Sequence, residues 1–190
     1  MYKIKNFTDN DDIRIVDKKG AFTVIEFIKD LSVTPYTAQM AYFASQMNAR
    51  RRQVICDLSV SPVTVQAGAM QWMIGDCNAN TGVKGVGDLF GKMARASVTK
   101  ESSIKPEYAG TGEVILEPTY RYLLLLDLAD WNGSVVLDDG LFLACESKCK
   151  QKAVMRSNLS SAAFGGEGLF NLGITGDGIV CIESNCPEKN

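Results

Sequence analysis

Apolar and polar residues alternate over short stretches of this chain far more often than they recur at helical spacing. Phe22-Thr23-Val24-Ile25-Glu26-Phe27-Ile28 is the best such run in the first third. Ile13 to Val16 and Lys3 to Phe7 are shorter ones, cut off by Lys18-Lys19-Gly20 and by the acidic cluster Asp9 to Asp12. From Val54 onward, Ser61-Pro62, Gly75-Asp76, Asn132-Gly133 and Asp139-Gly140 punctuate the apolar runs, which is the pattern of a sandwich or barrel-like β domain. Asn132-Gly133 precedes Ser134-Val135-Val136-Leu137 and predicts a hairpin, because both turn positions tolerate positive φ. Leu123 to Leu126 predicts a strand buried on both faces and is far too short to cross a bilayer.

Two stretches break the alternation. Met40, Phe43, Ala44 and Met47 predict a helix from about Thr37 to Arg50. Gln53 to Val60 already alternates like a strand, so either state is open over residues 37–52. Val86, Leu89, Phe90 and Met93 predict a second short helix over Val86 to Ala96, with Asp88 early and Lys92 and Arg95 late, as the helix dipole favours. Glycines 82, 85, 87 and 91 surround it without a Gly-Lys-Ser/Thr or a G-x-G-x-x-G, and read as loop and boundary glycines.

A longer regularity organises these runs. Val65-Gln66-Ala67-Gly68-Ala69-Met70 precedes Glu101-Ser102-Ser103-Ile104 and Gly112-Glu113-Val114-Ile115-Leu116-Glu117. Leu137-Asp138-Asp139-Gly140-Leu141-Phe142 precedes Glu167-Gly168-Leu169-Phe170 and Gly178-Ile179-Val180-Cys181-Ile182-Glu183. Eleven residues separate Glu101 from Gly112, and eleven separate Glu167 from Gly178. A doubled unit of short strands cannot bury its apolar face alone, so the copies should share a core. The expected fold is mainly β, a duplicated antiparallel β-sandwich or β-prism with one or two short helices. The expected layout is one domain over 1–190: N-terminal strands and a helix packing on them in 1–53, the duplicated core in 54–184, and a tail in 185–190.

Composition narrows the chemistry. With 190 residues, a chain of this size removes roughly 70% of its unfolded surface from water. Its 20 basic and 22 acidic residues give a net charge of −2, which argues against a main task of gripping a phosphate backbone. Histidine is absent, which excludes Ser-His hydrolases, His-ligated zinc and imidazole pH switches. The six cysteines stand at 56, 77, 145, 149, 181 and 186. Met1 to Lys5 leads into polar residues rather than an apolar segment, so a reduced, cytoplasmic setting is expected, with the thiols as small buried hydrophobes. Cys145-x3-Cys149 with Cys181-x4-Cys186 could in principle hold zinc, but the spacing is loose, and no metal or cofactor is expected.

Val63 to Met73 (VTVQAGAMQWM), Asp88 to Ala96 followed by Lys100-Glu101-Ser102, Gly110 to Pro118 (GTGEVILEP), Asp139 to Cys145 (DGLFLAC) and Gly166 to Glu183 together resemble one family. It is the bacterial group similar to the yeast altered-inheritance-of-mitochondria protein number twenty-four, and the match runs from about Val54 to Ser184. The resemblance implies an all-β fold related to the tryptophan RNA-binding attenuator protein and no established enzyme activity. Its mitochondrial members are linked to inner-membrane architecture, a role not carried over to a chain whose start resembles no presequence.

Candidate sites follow from the repeat and from charge. Glu101 and Glu167 hold equivalent places and could do acid–base work or bind a hard cation, though a turn or ion-pair role is the simpler reading. Lys148, Lys150 and Lys152 would line one face of a strand, to meet phosphates of RNA or lipid, or more simply to keep an exposed strand soluble. Arg50-Arg51-Arg52 makes a patch rather than a motif. Met70, Trp72 and Met73 are the candidate apolar anchors for self-association, against a role in interior packing. The expected function is a non-enzymatic, self-associating scaffold or binding protein. An RNA- or small-ligand-binding domain and a carboxylate-dependent enzyme are the alternatives.

Overall fold

The computed structural model describes residues 6–81, 105–138, 140–155 and 170–187. An N-terminal hairpin, β1 (Ile13–Lys19) and β2 (Phe22–Phe27), is followed by the helix α1 (Ala38–Gln46). Six strands come next: β3 (Arg52–Asp57), β4 (Val63–Val65), β5 (Met70–Ile74), β6 (Cys77–Asn80), β7 (Glu107–Gly110) and β8 (Glu113–Leu116). Six more complete the chain: β9 (Tyr122–Asp127), β10 (Ser134–Leu137), β11 (Phe142–Glu146), β12 (Lys150–Met155), β13 (Phe170–Thr175) and β14 (Ile179–Ser184). A short 3-10 helix, Leu128–Trp131, sits between β9 and β10.

These strands form three antiparallel sheets, ordered β1-β2-β3-β8-β5, β6-β7-β4-β11-β14-β9 and β10-β13-β12. The pairing scheme of the first six-strand unit reappears in the second. β3-β8-β5 and β4-β7-β6 have their counterparts in β9-β14-β11 and β10-β13-β12. The correspondence extends to single bonds. Leu58 N–H donates to Gly112 O at 3.0 Å, as Leu128 N–H does to Gly178 O at 3.1 Å. Glu117 N–H donates to Ala69 O at 2.7 Å, as Glu183 N–H does to Leu141 O at 2.8 Å. The register slips between Met70 and Trp72 in β5, and between Phe142 and Ala144 in β11, so each unit carries a β-bulge at the same place. The doubled spacing around Gly112 and Gly178 therefore marks two strands, β8 and β14, with matching neighbours.

The six-stranded sheet has a core on each face. Between it and the five-stranded sheet lie Phe22, Val24, Val54, Cys56, Val63, Val65, Val114, Leu116, Leu125 and Cys181. On its other face Leu128, Leu137, Phe142, Cys145, Cys149, Ile174, Val180 and Ile182 pack together. Residues of both six-strand units enter the first core, so the two units share it, as a half-sized β unit with one apolar face requires. The outer face of the five-stranded sheet is covered by a third cluster, in which Ile25, Ile55 and Ile115 are sealed by Phe7, Ile13, Phe27 and Trp72.

Several expectations from local pattern need correction. Asn132 and Gly133 do take positive φ, 53° and 72°, but they close the 3-10 helix rather than a hairpin. β9 and β10 on either side belong to different sheets, because β9 finds its partner in β14 and β10 in β13. The leucine run in β9 buries Leu123 and Leu125 fully on one face, while Leu124 and Leu126 are half-buried against the second core. The N-terminal helix ends at Gln46, well before Arg50, and Asn48 at φ 61° turns the chain toward β3. The predicted helix over Val86 to Ala96 lies outside the described residues.

Candidate functional site

Helix α1 has its large and small side chains on the unexpected faces. Met40, Phe43 and Met47 form one stripe at helical spacing and are 72%, 58% and 81% exposed. Tyr36 stands just ahead of the helix at 96% exposure, and Tyr42 meets Phe43 edge-on with ring centroids 5.5 Å apart. The opposite face offers the half-buried small residues Ala41, Ala44 and Ser45. No residue of the helix is buried. Between the helix and the end of β2 runs a groove of about 630 Å³, lined by Phe27, Ile28, Met40, Ala41, Tyr42 and Tyr120. The helical spacing of Met40, Phe43 and Met47 was legible in sequence; their outward direction was not.

The arginine run that follows is not a solvated patch. Arg52 is buried and binds Glu26, its cross-strand partner, at 2.6 Å, with Glu26 2% exposed. Arg52 also donates to Asn48 O at 3.2 Å and lies over the Tyr122 ring at 4.3 Å. Arg14 reaches the same carboxylate from β1 at 2.7 Å, and Arg50 Nε stands 3.8 Å from it. Arg51 turns the other way, to Asp30 at 3.2 Å and Ser32 at 2.6 Å. Burial alone would raise the Asp30 carboxyl, but bonds from Ser32 and Arg51 outweigh it and hold the group below its ordinary value. Three consecutive cations thus each have a fixed partner, and together they pin the chain leaving α1 to the sheet.

A second buried carboxylate joins the chain's two ends. Glu146, at the end of β11, accepts N–H bonds from Ala21 at 3.2 Å and from Ile179 at 3.1 Å. Gly20, in the β1–β2 turn at φ 52°, is where a Cβ would strike this carboxylate. Lys148 stands 3.4 Å from Glu146, whose charge raises the Lys148 pKa above its ordinary value.

This places the sequence candidates. Lys148 lies in the β11–β12 turn as a counter-ion to Glu146, so it does not join the other two lysines. Lys150 and Lys152 share the exposed face of β12, an edge strand, where lysines deter edge-to-edge pairing. The bulge in β5 divides the apolar trio. Met70 packs on the first core, Trp72 meets Phe7 at 6.0 Å in the third cluster, and Met73 is 45% exposed. The three do not present one surface. Glu101 and Glu167 lie outside the described residues.

The cysteines divide as well. Cys181 faces the first core, Cys145 and Cys149 face the second, and Cys186 is exposed. Period-two alternation in β14 sends Cys181 away from Val180 and Ile182, so the quartet considered for zinc is split across the sheet. Among the described residues, no cluster of three or more carboxylates or thiols suited to a metal ion is formed. Nor, among them, is any helix long and apolar enough to cross a membrane.

Comparison with known proteins gives a family and a fold. The model of a family described as mitochondrial biogenesis AIM24 matches residues 45–187. The crystal structure of protein SPYM3_0169 from Streptococcus pyogenes is similar, with a TM-score of 0.53 and 22% identity over 90% of this chain. The chain spans 64% of the length of that protein. No curated protein matches the chain.

Proposed function

This chain belongs to the mitochondrial biogenesis AIM24 family, and from that premise we propose that it is a non-enzymatic scaffold or binding protein that self-associates through the outward face of α1. The observation that carries this reading is the inverted helix: large apolar side chains in water, small ones toward the protein. Tyr36, Met40, Tyr42, Phe43 and Met47 leave roughly 700 Å² in solvent, taking about 200 Å² for each such side chain when fully exposed. With backbone and hydroxyl area taken out, the apolar part is comparable to the largest patch of a typical monomer, about 300–600 Å². The full area is close to the roughly 800 Å² that each partner contributes to an interface of standard size. A second copy of the same helix is the occupant that fits. A stripe of Met40, Phe43 and Met47 meets itself across a two-fold axis without needing charge complementarity.

Analytical ultracentrifugation tests this directly. The wild-type chain should sediment as a dimer or larger assembly at micromolar concentration. The double substitution Met40→Glu and Phe43→Glu should yield a monomer with an unchanged circular-dichroism spectrum, since both side chains lie outside the core. A wild-type monomer at 100 μM, or a double variant that assembles like the wild type, would refute the proposal.

A further inference from the structure

At one side of the sandwich, edge strand β1 of the five-stranded sheet lies beside edge strand β9 of the six-stranded sheet. Lys19 bridges the two, its Nζ donating to Leu125 O at 2.9 Å. Along this seam runs a cleft of about 470 Å³, lined by Arg14, Asp17, Lys19, Glu26, Arg52 and Tyr122 among others. A local irregularity fills it with charge. The register of β1 on β2 slips between Ile15 and Asp17, with Val16 as the extra residue of a β-bulge. Before the slip Arg14 lies opposite Glu26; after it Asp17 and Lys19 lie opposite Val24 and Phe22. Glu26, Val24 and Phe22 share one face of β2. The bulge therefore sets Arg14, Asp17 and Lys19 on a single inner face, where strict alternation would have turned the last two away.

Cations outnumber carboxylates in this cleft. Arg14, Lys19 and Arg52 line it with Glu26 and Asp17, and Arg50 Nε stands 3.8 Å from Glu26 as a fourth cation. Glu26 forms the floor and is already held by Arg52 at 2.6 Å and Arg14 at 2.7 Å. Arg52 spends its own fork on Glu26, Arg50 O and Asn48 O. Asp17 accepts the Lys18 N–H at 2.7 Å. Among the described residues, two cations of the cleft keep donors to give. Arg14 commits Nη2 to Glu26, and its side chain remains 57% exposed. Lys19 commits one of three ammonium N–H groups to Leu125 O.

We propose that this cleft binds a phosphate monoester group, with Arg14 and Lys19 as its ligands. A phosphate dianion matches two cations in charge, and its several oxygens suit both a planar guanidinium fork and a compact ammonium. A carboxylate would be saturated by the fork alone. The cleft leaves room beside Tyr122 and Leu124 for the esterified part of the molecule. Asp17 opposes an anion at this place, so its removal strengthens the site. Inward-facing charges on an edge strand also deter edge-to-edge pairing, and the two roles respond differently to substitution.

Isothermal titration calorimetry of the full-length chain at low salt separates them. Glycerol 3-phosphate presents the monoester free, and vesicles of phosphatidic acid in phosphatidylcholine present it as a headgroup; the form that binds identifies its source. Binding should have a Kd below about 1 mM. Arg14→Gln and Lys19→Gln should each weaken it by about tenfold or more, the loss of one charge-assisted contact. Lys18→Gln removes the same charge one residue away, on the opposite face of β1, and should bind like the wild type. Asp17→Asn should tighten binding several-fold, which protection of a strand edge does not predict. Should Arg14→Gln fail to fold, as judged by circular dichroism, the variants at 17, 18 and 19 decide. Binding to neither form of the monoester, equal losses in Lys18→Gln and Lys19→Gln, or no gain in Asp17→Asn would overturn the proposal and leave these charges to guard the edge.

Discussion

Cys77 and Cys149 hold corresponding positions in the two six-strand units, each sulfur seated against the glycine, Gly112 or Gly178, that precedes the unit's last strand. The glycine is needed for closeness rather than for backbone freedom. At Gly178 a Cβ would also meet Lys148 Cε at 3.0 Å and Glu146 Oε2 at 3.2 Å. At Gly112 it would strike the carbonyl oxygen of Ile74 as well as the Cys77 sulfur.

Those surroundings predict different responses to the same substitution. Gly178→Ala should destabilise the protein by about 1–3 kcal/mol through overpacking. Adding Cys149→Ala should recover part of that loss, because the obstructing atoms are side chains. Gly112→Ala should not be rescued by Cys77→Ala, since backbone remains in the way. Urea denaturation of the six variants, the four single substitutions and the two doubles, measures both coupling energies. Equal rescue at the two sites would contradict the account.

Glu146 links the β1–β2 turn to β14 through two backbone N–H groups. Glu146→Ala leaves both donors without their acceptor and should cost about 2–4 kcal/mol. Glu146→Gln keeps one amide oxygen to accept and should lose less. Chemical denaturation that ranks the two substitutions in the opposite order would show that charge, rather than acceptor count, holds the turn.

Arg52 and Glu26 should be strongly coupled. Removing the guanidinium alone, as in Arg52→Met, leaves a nearly fully buried carboxylate with only the more exposed Arg14 and the more distant Arg50 beside it, and should cost up to about 3 kcal/mol. Replacing both, with Arg52→Met and Glu26→Leu, should be less damaging than the single change. A double variant whose loss equals the sum of its parts, measured by thermal and urea unfolding, would count against a buried pair.

Lys148 predicts a response at alkaline pH. Its folded pKa is raised above 10.5, chiefly by the Glu146 charge. The stabilisation from this shift is fully present below the unfolded value and fades as pH rises through the folded one. Wild type should therefore lose stability above about pH 10.5 by more than Lys148→Met does. The difference between their urea midpoints at pH 8 and pH 11 reads this out, and parallel curves would remove Lys148 from the account.

How much of this was legible beforehand depends on the range over which each feature is encoded. Alternation within six residues marked β2, and doubled spacing around Gly112 and Gly178 marked β8 and β14, because side-chain period and chain repetition are local properties. Asn132-Gly133 showed its positive φ for the same reason. That φ left undecided whether the chain would return along β9 or cross to another sheet, which depends on β14 and β13 forty residues later and more. Arg50 to Arg52 looked alike in sequence and diverged in space, since alternation turns neighbours to opposite faces and only the fold says what waits there.

The amino-acid order by itself pointed to a mainly β chain and removed imidazole chemistry, and it left residues 37–52 open between helix and strand. Tertiary structure decided which sheet each strand joined, that the apolar stripe of α1 faces water, that Glu26 and Glu146 are buried among fixed partners, and that Cys145 and Cys149 share a core that Cys181 does not enter. The physical reason is range: backbone preference and side-chain period act over a few residues. Partner choice in an antiparallel sheet closes loops of up to about eighty residues, as between Val63 and Glu146, and only the folded chain brings those groups within bonding distance.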